Sequence, residues 1–301
     1  MKAKVIDPQL ILILIFCEAA DFCKGKSLGD TKRRPKRGRK QVVTGPELLT
    51  LALFQALLGI ESEHSFLRFM SRFFTGWLPL LSQPQYNRRL RKSAKLLEEF
   101  RRYLLGRLRI QTDLFLIDSL PVPLINPVRV SRSGGFPEMG FGHCAALKQD
   151  FYGARLHSVV TATGIPVLFE LTPATGDERV VMEELLEGCG FLTVIGDKGY
   201  LDQLRQARLL SAQHITTIVP HRKNQKAQLS EPEKRLYHKT RKRIESVINQ
   251  LAFHFDIKGM LARELDGLAA RVIQKITAFT MGILLNKCFG RKWLAIRSIL
   301  A

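Results

Sequence analysis

The stretch Leu114-Phe-Leu-Ile-Asp118 is a short apolar run that ends in a carboxylate, and Thr193-Val-Ile-Gly-Asp197 repeats this arrangement further along the chain. Short apolar runs that are bounded by turn residues predict buried strands. In an open α/β sheet, ligands bind beyond the carboxyl ends of the strands. We therefore expect Asp118 and Asp197 to end neighbouring strands and to lie together at the mouth of one sheet.

Further strands are predicted around these two runs. Residues 156–162 and 166–172 flank the turn Thr163-Gly-Ile165 and predict a hairpin, and Ile215-Thr-Thr-Ile-Val219 predicts a fifth strand. Five short strands with interspersed helices indicate a mixed α/β domain, which we place at residues 112–301.

A long helix is predicted over residues 230–255. Ser230 and Glu233 form a capping box at its start. The apolar side chains that recur at helical spacing are Ile244, Val247, Ile248, Leu251 and Phe255. Because Glu245 adjoins Ile244 on the apolar side, we expect its carboxylate to point at or beside the sheet rather than into water.

The first 111 residues have a helical pattern, and we interpret them as a separate all-helical region. Thr44 and Glu47 form a capping box at the start of one helix, and the other predicted helices cover residues 8–23, 62–74 and 84–109. The first of these contains eight consecutive apolar residues, too few for a bilayer span of about 20. Its acidic flanks favour a buried helix over a secretion signal.

Composition and charge limit the class of protein. With 301 residues, of which 46% are hydrophobic, the chain can bury a core, which excludes a disordered, collagen-like or disulfide-stapled protein. The net charge of +20 indicates a polyanionic partner, with nucleic acid first and an anionic membrane surface second. The five cysteines include no Cys-x-x-Cys pair, so they favour buried thiols in a reducing cytoplasm over a zinc ribbon or disulfides.

Three carboxylates stand out, and each has a structural alternative. Asp118 and Asp197 are candidates for ordinary turn or cap residues. Glu245 follows Arg241 by four residues and is a candidate for an ion-pair partner on a solvated helix face.

Taken together, the same three residues are candidates for catalysis and metal binding. Hard divalent cations prefer oxygen ligands. Two of them held about 3.5–4 Å apart can activate a water or hydroxyl and stabilise the leaving oxygen of a phosphodiester. Two strand-end aspartates and one helix glutamate, Asp118, Asp197 and Glu245, supply such a ligand set.

Five motifs occur in order along the chain. They are Ile117-Asp-Ser-Leu-Pro-Val-Pro123, Tyr152-Gly-Ala-Arg-Leu-His157, Gly196-Asp-Lys-Gly-Tyr200, Arg222-Lys-Asn-Gln225 and Arg241-Lys-Arg-Ile-Glu245. With these motifs the chain resembles the DDE transposases of bacterial insertion sequences, most closely the insertion-sequence family numbered nine-eight-two. The resemblance covers almost the whole chain, since Thr50-Leu-Ala-Leu53 and Tyr86-Asn-Arg-Arg89 also match.

The resemblance implies a ribonuclease-H-like mixed sheet with flanking helices at residues 112–301, preceded by a helical DNA-binding region at residues 1–111. It implies a DDE triad of Asp118, Asp197 and Glu245 that binds two Mg²⁺ ions, or Mn²⁺ in their place, with Asp118 bridging both. Water would cleave one strand at each element end, and the freed 3′-hydroxyl would attack target DNA.

The implied partners are double-stranded DNA, both the terminal repeats of the element and the target, and a second copy of the chain, because two ends must be held. A homodimer or higher assembly in the bacterial cytoplasm, associated with the nucleoid and not with a membrane, is the expectation.

The chain departs from the commonest family pattern around the glutamate. Tyr237 stands four residues before Arg241, one further than usual, and Ala252 replaces the lysine expected seven residues after Glu245. We expect Arg243 or Lys242 to take the phosphate contact of that lysine.

Basic side chains in both regions are candidates for DNA contact, and a solvated loop is the alternative for the amino-terminal group. The candidates are Lys36, Arg37, Arg39, Arg88, Arg89, Lys198, Arg222, Lys223, Asn224, Arg241 and Arg243. Tyr200 either touches DNA near the cut or packs in the core, and the position of His157 on an apolar strand favours a core histidine.

Other functions remain open at this point. A catalytically inactive DNA-binding protein derived from a transposase would keep the basic surfaces, and a host nuclease would cut DNA without joining it. A membrane-surface protein is the weakest alternative, because acids at strand ends serve no purpose there.

Overall fold

A computed structural model describes the chain over residues 5–29, 41–144, 148–221 and 228–300. In chain order its helices and strands are α1 (Pro8–Gly29), α2 (Gly45–Leu57), α3 (Glu63–Phe73), α4 (Gln83–Lys92), α5 (Ala94–Leu108), β1 (Leu114–Ile125), β2 (Gly140–Cys144), β3 (Gln149–Thr161), β4 (Pro166–Pro173), α6 (Glu178–Leu185), β5 (Leu192–Ile195), α7 (Gln203–Gln213), β6 (Ile215–Ile218), α8 (Glu231–Asn249) and α9 (Leu265–Cys288). These elements form two compact units: unit 1 contains the residues up to Arg109 and from His254 onward, and unit 2 contains Ile110–Phe253.

Unit 1 is built around α9, which packs against α2 and α5. Among the helices described, α9 is long and apolar enough to cross a membrane, but 89% of its most apolar stretch is buried inside the unit, as in the core helix of a soluble protein. The sequence placed residues 254–301 with the α/β domain. In the structure their described part joins the amino-terminal helices, because those helices cover the apolar surface of α9.

The capping box predicted at Thr44 and Glu47 is confirmed. Glu47 Oε2 accepts hydrogen bonds from the Thr44 backbone N–H and, at 2.7 Å, from its hydroxyl, and α2 begins at the next residue, Gly45. The two partners therefore satisfy amide groups that the first helical turn leaves unpaired.

Unit 2 contains a six-stranded mixed sheet in the order β2-β3-β1-β5-β6, with β4 also pairing with β3. The pairs β1–β3, β2–β3 and β3–β4 are antiparallel, whereas β1–β5 and β5–β6 are parallel. The mixed α/β prediction is confirmed. The predicted hairpin is also confirmed: β3 and β4 are joined by a turn in which Gly164 adopts a φ of 94°, a conformation that favours glycine.

One face of the sheet packs against α6 and α7. The buried cluster on that face combines strand residues such as Ile117 and Val194 with Met182 and Leu186 of the α6 region and Leu209 of α7. This packing fixes the middle of β1 around Ile117 and the end of β5 relative to α6.

The expectation that the first strand ends at Asp118 is wrong. β1 continues to Ile125 and pairs with β3 beyond Asp118, although it contains Pro121 and Pro123. Proline has no backbone N–H and is tolerated at a strand edge that needs no donor. That condition holds because the parallel partner β5 already ends at Ile195.

The long helix is confirmed with its capping box, in which Glu233 accepts hydrogen bonds from the backbone and side chain of Ser230. The α-helical part ends at Asn249, earlier than the predicted residue 255, and Gln250–His254 continues it as a π-helical turn. α8 packs against β1.

Candidate active site

Asp118 and Asp197 occupy equivalent positions beyond the parallel ladder of β1 and β5. The last paired residues are Leu116 and Ile195, and each aspartate follows its strand's last paired residue by two. The structure therefore brings the two predicted aspartates to one edge of the β1–β5 pair, although Asp118 lies within the longer β1 rather than at its end.

The environment of Asp118 disfavours its charged form. Burial raises the pKa of its carboxyl to about 7, and the charges of Asp197 and Glu178 act in the same direction. The Ser119 backbone N–H, which donates to Asp118 Oδ1 over 2.8 Å, and the Arg241 guanidinium lower this pKa. Asp118 thus lies in a concentration of negative charge that one nearby arginine partly offsets.

Asp197 also caps a short turn. Its Oδ1 accepts the Gly199 backbone N–H over 2.7 Å, at the start of the single 3-10 turn Lys198–Tyr200. The cap role considered from the sequence is therefore present, and it leaves Oδ2 without a role in the turn. Lys198, a predicted DNA contact, is exposed in this turn.

Glu178, which the sequence did not single out, contacts residues beside both aspartates. Its Oε1 accepts the Ser119 hydroxyl over 2.8 Å and pairs with Arg155 over 3.1 Å. A Cβ atom placed on Gly199 would overlap Glu178 Oε2 and would lie 3.0 Å from Asp197 Oδ1. Glycine at position 199 therefore lets the two carboxylates approach the same point.

A buried polar pair lies under this edge of the sheet. The Tyr200 hydroxyl lies 3.1 Å from His157 Nδ1, and both side chains are fully buried. Burial, followed by the charges of Glu178, Asp118 and Asp197, raises the pKa of Tyr200. Burial, followed by the Arg155 charge, lowers the pKa of His157 to about 4, so the imidazole is neutral at pH 7.

Glu245 forms an ion pair along α8. Its side chain is 47% exposed, and its Oε1 accepts a hydrogen bond from Arg241 Nε over 2.7 Å. Arg241 also donates to the Tyr237 hydroxyl, and its guanidinium lies 5.7 Å from the Tyr237 ring centre. The ion-pair alternative considered from the sequence is therefore present, and the expected position of the carboxylate beside the sheet stays a prediction.

Two of the three predicted carboxylates, Asp118 and Glu245, are linked through Arg241. Its charge reaches Asp118, and its side chain binds Glu245. The described segments contain no group of three or more His, Cys, Asp or Glu side chains gathered closely enough to hold a metal ion. The chemistry of the two aspartates nevertheless fits a hard divalent cation, because Asp118 and Asp197 stand together at one edge of the β1–β5 pair and carry carboxylate oxygens.

The predicted DNA contacts that the structure describes differ in their surroundings. Arg88 on α4 and Arg243 on α8 are exposed. Arg89 donates to the Val43 carbonyl over 2.5 Å and to Gln41 over 3.0 Å, which ties the segment before α2 to α4. The candidates Lys36, Arg37, Arg39, Arg222, Lys223 and Asn224 lie outside the described residues.

Comparison with known families gives one match. A family model described as a transposase DDE domain matches residues 109–263, just over half of the chain. No curated protein and no solved structure matches the sequence. The matched range contains Asp118, Asp197 and Glu245, and it also contains Glu178.

Proposed function

Since the chain belongs to the transposase DDE domain family, we propose that it is an insertion-sequence transposase that cleaves DNA at element ends and joins the 3′-hydroxyl to target DNA. One observation carries this proposal: two aspartates inside the matched range, Asp118 and Asp197, stand at equivalent positions beyond the β1–β5 ladder, where the charge of one raises the pKa of the other. The order of the sequence motifs supports the more specific assignment to the insertion-sequence family numbered nine-eight-two.

The proposed cofactor is Mg²⁺, or Mn²⁺ in its place, held by Asp118, Asp197 and Glu245. Bound divalent cations would supply positive charge to the scissile phosphate and lower the pKa of the attacking water or hydroxyl. The concentration of carboxylates around Asp118 supports this assignment, because an ionised Asp118 is costly in the absence of nearby positive charge.

The chain's own residues have distinct proposed roles. Asp118 and Asp197 would hold the divalent cation that contacts the reacting phosphate. Arg241 balances the charge of Glu245 and also donates to the Tyr237 hydroxyl on the same helix. Lys198 and Arg243, both exposed, are placed to contact the phosphates of bound DNA.

Two further parts of the proposal concern architecture and assembly. The antiparallel pairing on one side of β1 and the parallel pairing on the other support a ribonuclease-H-like catalytic domain. The net charge of +20 supports binding of double-stranded DNA, with the amino-terminal helices as the DNA-binding region. Because two element ends must be held, we propose a homodimer or higher assembly in the cytoplasm, associated with the nucleoid.

The test is cleavage of a duplex that carries the end of the flanking element, with Mg²⁺ added. Wild type is compared with Asp118→Ala, Asp197→Ala and Glu245→Ala, and exposed Asp113→Ala serves as a matched control. Loss of cleavage in the three variants, with end binding retained and the control active, supports the triad. Cleavage that survives in one variant removes that residue from the site.

A second candidate is a DNA-binding protein that is derived from a transposase and has lost catalysis. The ion pair between Glu245 and Arg241 favours it, because that carboxylate is already engaged by an arginine. A wild-type protein that binds the element end but cuts nothing would establish this alternative. Cutting without joining would instead indicate a nuclease.

A further inference from the structure

Glu178 contacts both aspartate-bearing segments. Its Oε1 accepts a hydrogen bond from the hydroxyl of Ser119, the residue that follows Asp118 and whose backbone N–H binds the Asp118 carboxylate. Its Oε2 lies against Gly199, whose backbone N–H binds Asp197. A single side chain thus contacts both residues whose backbone amides bind the predicted catalytic aspartates.

Glu178 is not needed to start its own helix. The N-cap of α6 is Asp177, whose Oδ1 accepts the Arg179 backbone N–H over 2.9 Å. Glu178 is instead held toward the sheet by Arg155 of β3, and its side chain is only 21% exposed. Arg155 also donates to the His143 carbonyl over 3.0 Å, so the arginine is anchored on two sides.

The surroundings argue against a purely structural salt bridge. The negative charge of Glu178 acts on Asp118 and on the buried Tyr200 hydroxyl, which are both residues of the same edge. A third acid beside two aspartates costs electrostatic energy, and replacing it by a neutral residue would relieve that cost. Its contacts give it the position of an outer residue that orients the ligands of a metal.

We propose that Glu178 is a positioning residue of the cleavage site, which acts through Ser119 and the Gly199 turn to hold Asp118 and Asp197 in the arrangement that a divalent cation requires. This inference rests on the proposed function. It adds a residue outside the predicted triad, and it assigns Gly199 a role in admitting the Glu178 carboxylate.

The test uses the full chain with Glu178→Gln, which keeps the size of the side chain and removes its charge. Glu184→Gln is the matched control, because Glu184 is an exposed residue of the same helix. We expect Glu178→Gln to weaken Mn²⁺ binding and to lower the single-turnover cleavage rate, each by about 10–100-fold. The affinity for the element end and the melting temperature should match those of the control.

Mn²⁺ affinity, measured by electron paramagnetic resonance or calorimetry, separates this inference from the proposed function. If wild type binds Mn²⁺ but does not cleave DNA, the proposed function fails, and weaker Mn²⁺ binding by Glu178→Gln still supports the inference. Mn²⁺ binding by Glu178→Gln equal to that of wild type overturns the inference, whatever the cleavage rate. A wild-type protein that binds no Mn²⁺ overturns both.

Two further variants keep the test decisive if Glu178→Gln does not fold. Ser119→Ala removes one contact of Glu178 and should weaken Mn²⁺ binding in the same direction. Gly199→Ala places a methyl group where Glu178 Oε2 lies, so it should also weaken binding. Full Mn²⁺ affinity in both variants would overturn the proposal.

Discussion

Arg241 and Glu245 form an ion pair across one turn of α8, with 2.7 Å between Nε and Oε1. The charge of the same arginine also lowers the pKa of Asp118. Glu245 therefore lies beside an arginine whose charge reaches Asp118, and this arrangement is compatible both with an ion-pair role and with the proposed catalytic role. Stability and activity measurements can tell them apart.

Replacing Glu245 by Gln should abolish cleavage while barely changing stability. Both partners of the ion pair are nearly half exposed, and exposed pairs contribute only about 0–1 kcal/mol. Urea denaturation and Mg²⁺-dependent cleavage measure the two quantities. Glu231→Gln, which removes an exposed acid paired with Lys234 on the same helix, is the control. Normal cleavage by the Glu245 variant would leave only the ion-pair role.

Replacing Asp118 by Asn should stabilise the protein at pH 8. The carboxyl has a pKa of about 7 in the folded protein and an ordinary value of 3.8, so the unfolded chain ionises first and the folded state loses stability as the pH rises from about 4 to about 7. The neutral amide removes this cost, and we expect a gain of about 4 kcal/mol. The gain should shrink as the pH falls and vanish near pH 4, where the wild-type carboxyl is protonated in both states.

Denaturation in the presence of a chelator measures this gain, since bound cations would offset the charge of Asp118. Exposed Asp113→Asn is the control and should show no such pH dependence. A destabilised Asp118→Asn at pH 8 would contradict the electrostatic account of the site.

Local signals in the sequence were sufficient for much of the fold. The capping boxes at Thr44 and Ser230 and the turn at Gly164 depend on residues within a few positions of each other, and all three are confirmed. The position of Asp118 and Asp197 at one edge of the β1–β5 pair could be anticipated, because ligand-binding residues follow neighbouring parallel strands at a common edge.

The parts that could not be predicted depend on contacts between distant residues. The continuation of β1 through Pro121 depends on β5 ending first, which no local pattern reveals. Glu178 looks like an ordinary acid in the first turn of a helix, and only its contacts with Ser119 and Gly199 give it a role. The sequence left the ion pair between Glu245 and Arg241 as one of two alternatives, and the structure shows that it forms.

Breaking the ion pair between Glu63 and Arg271 should strongly destabilise unit 1. Their side chains are 2% and 11% exposed, and Oε1 lies 2.7 Å from the guanidinium. Arg271→Leu leaves a buried carboxylate whose remaining hydrogen-bond donors among the described residues are the amides of Gln83 and Asn87. Removing one partner of a buried pair costs about 3–5 kcal/mol.

The measurement is the midpoint of urea unfolding, with Arg102→Leu, a change at an exposed residue of α5, as the control. Surface changes of that kind usually alter stability by less than about 0.5 kcal/mol. Equal midpoints for the two variants would show that the stability of the protein does not depend on the ion pair between Glu63 and Arg271.

Arg88 should contribute to DNA binding through a phosphate contact. Its side chain is exposed on α4, so Arg88→Ala should weaken binding to all duplexes alike and reduce the slope of log affinity against log salt by about 0.9. Affinity measured at several salt concentrations gives the slope, and Arg102→Ala is the control. An unchanged slope would remove Arg88 from the DNA-binding surface.

Arg89→Ala should also lower stability, because Arg89 holds the segment before α2.

His157 should make the protein less stable as the pH falls from about 6.5 to about 4. Burial lowers its pKa to about 4 in the folded protein, while its ordinary value is 6.5, so the unfolded chain takes up the proton first. Over this range the histidine should cost about 3 kcal/mol. Asp118 acts in the opposite direction, because its pKa is raised and its protonation stabilises the folded state.

The informative quantity is therefore the difference in unfolding free energy between wild type and His157→Gln at each pH. Wild type should lose stability relative to the variant as the pH falls, whereas exposed His64→Gln should show no such trend. A difference that stays constant from pH 7 to pH 4 would mean that the buried imidazole does not resist protonation. The contact between the Tyr200 hydroxyl and His157 would then not require a neutral imidazole.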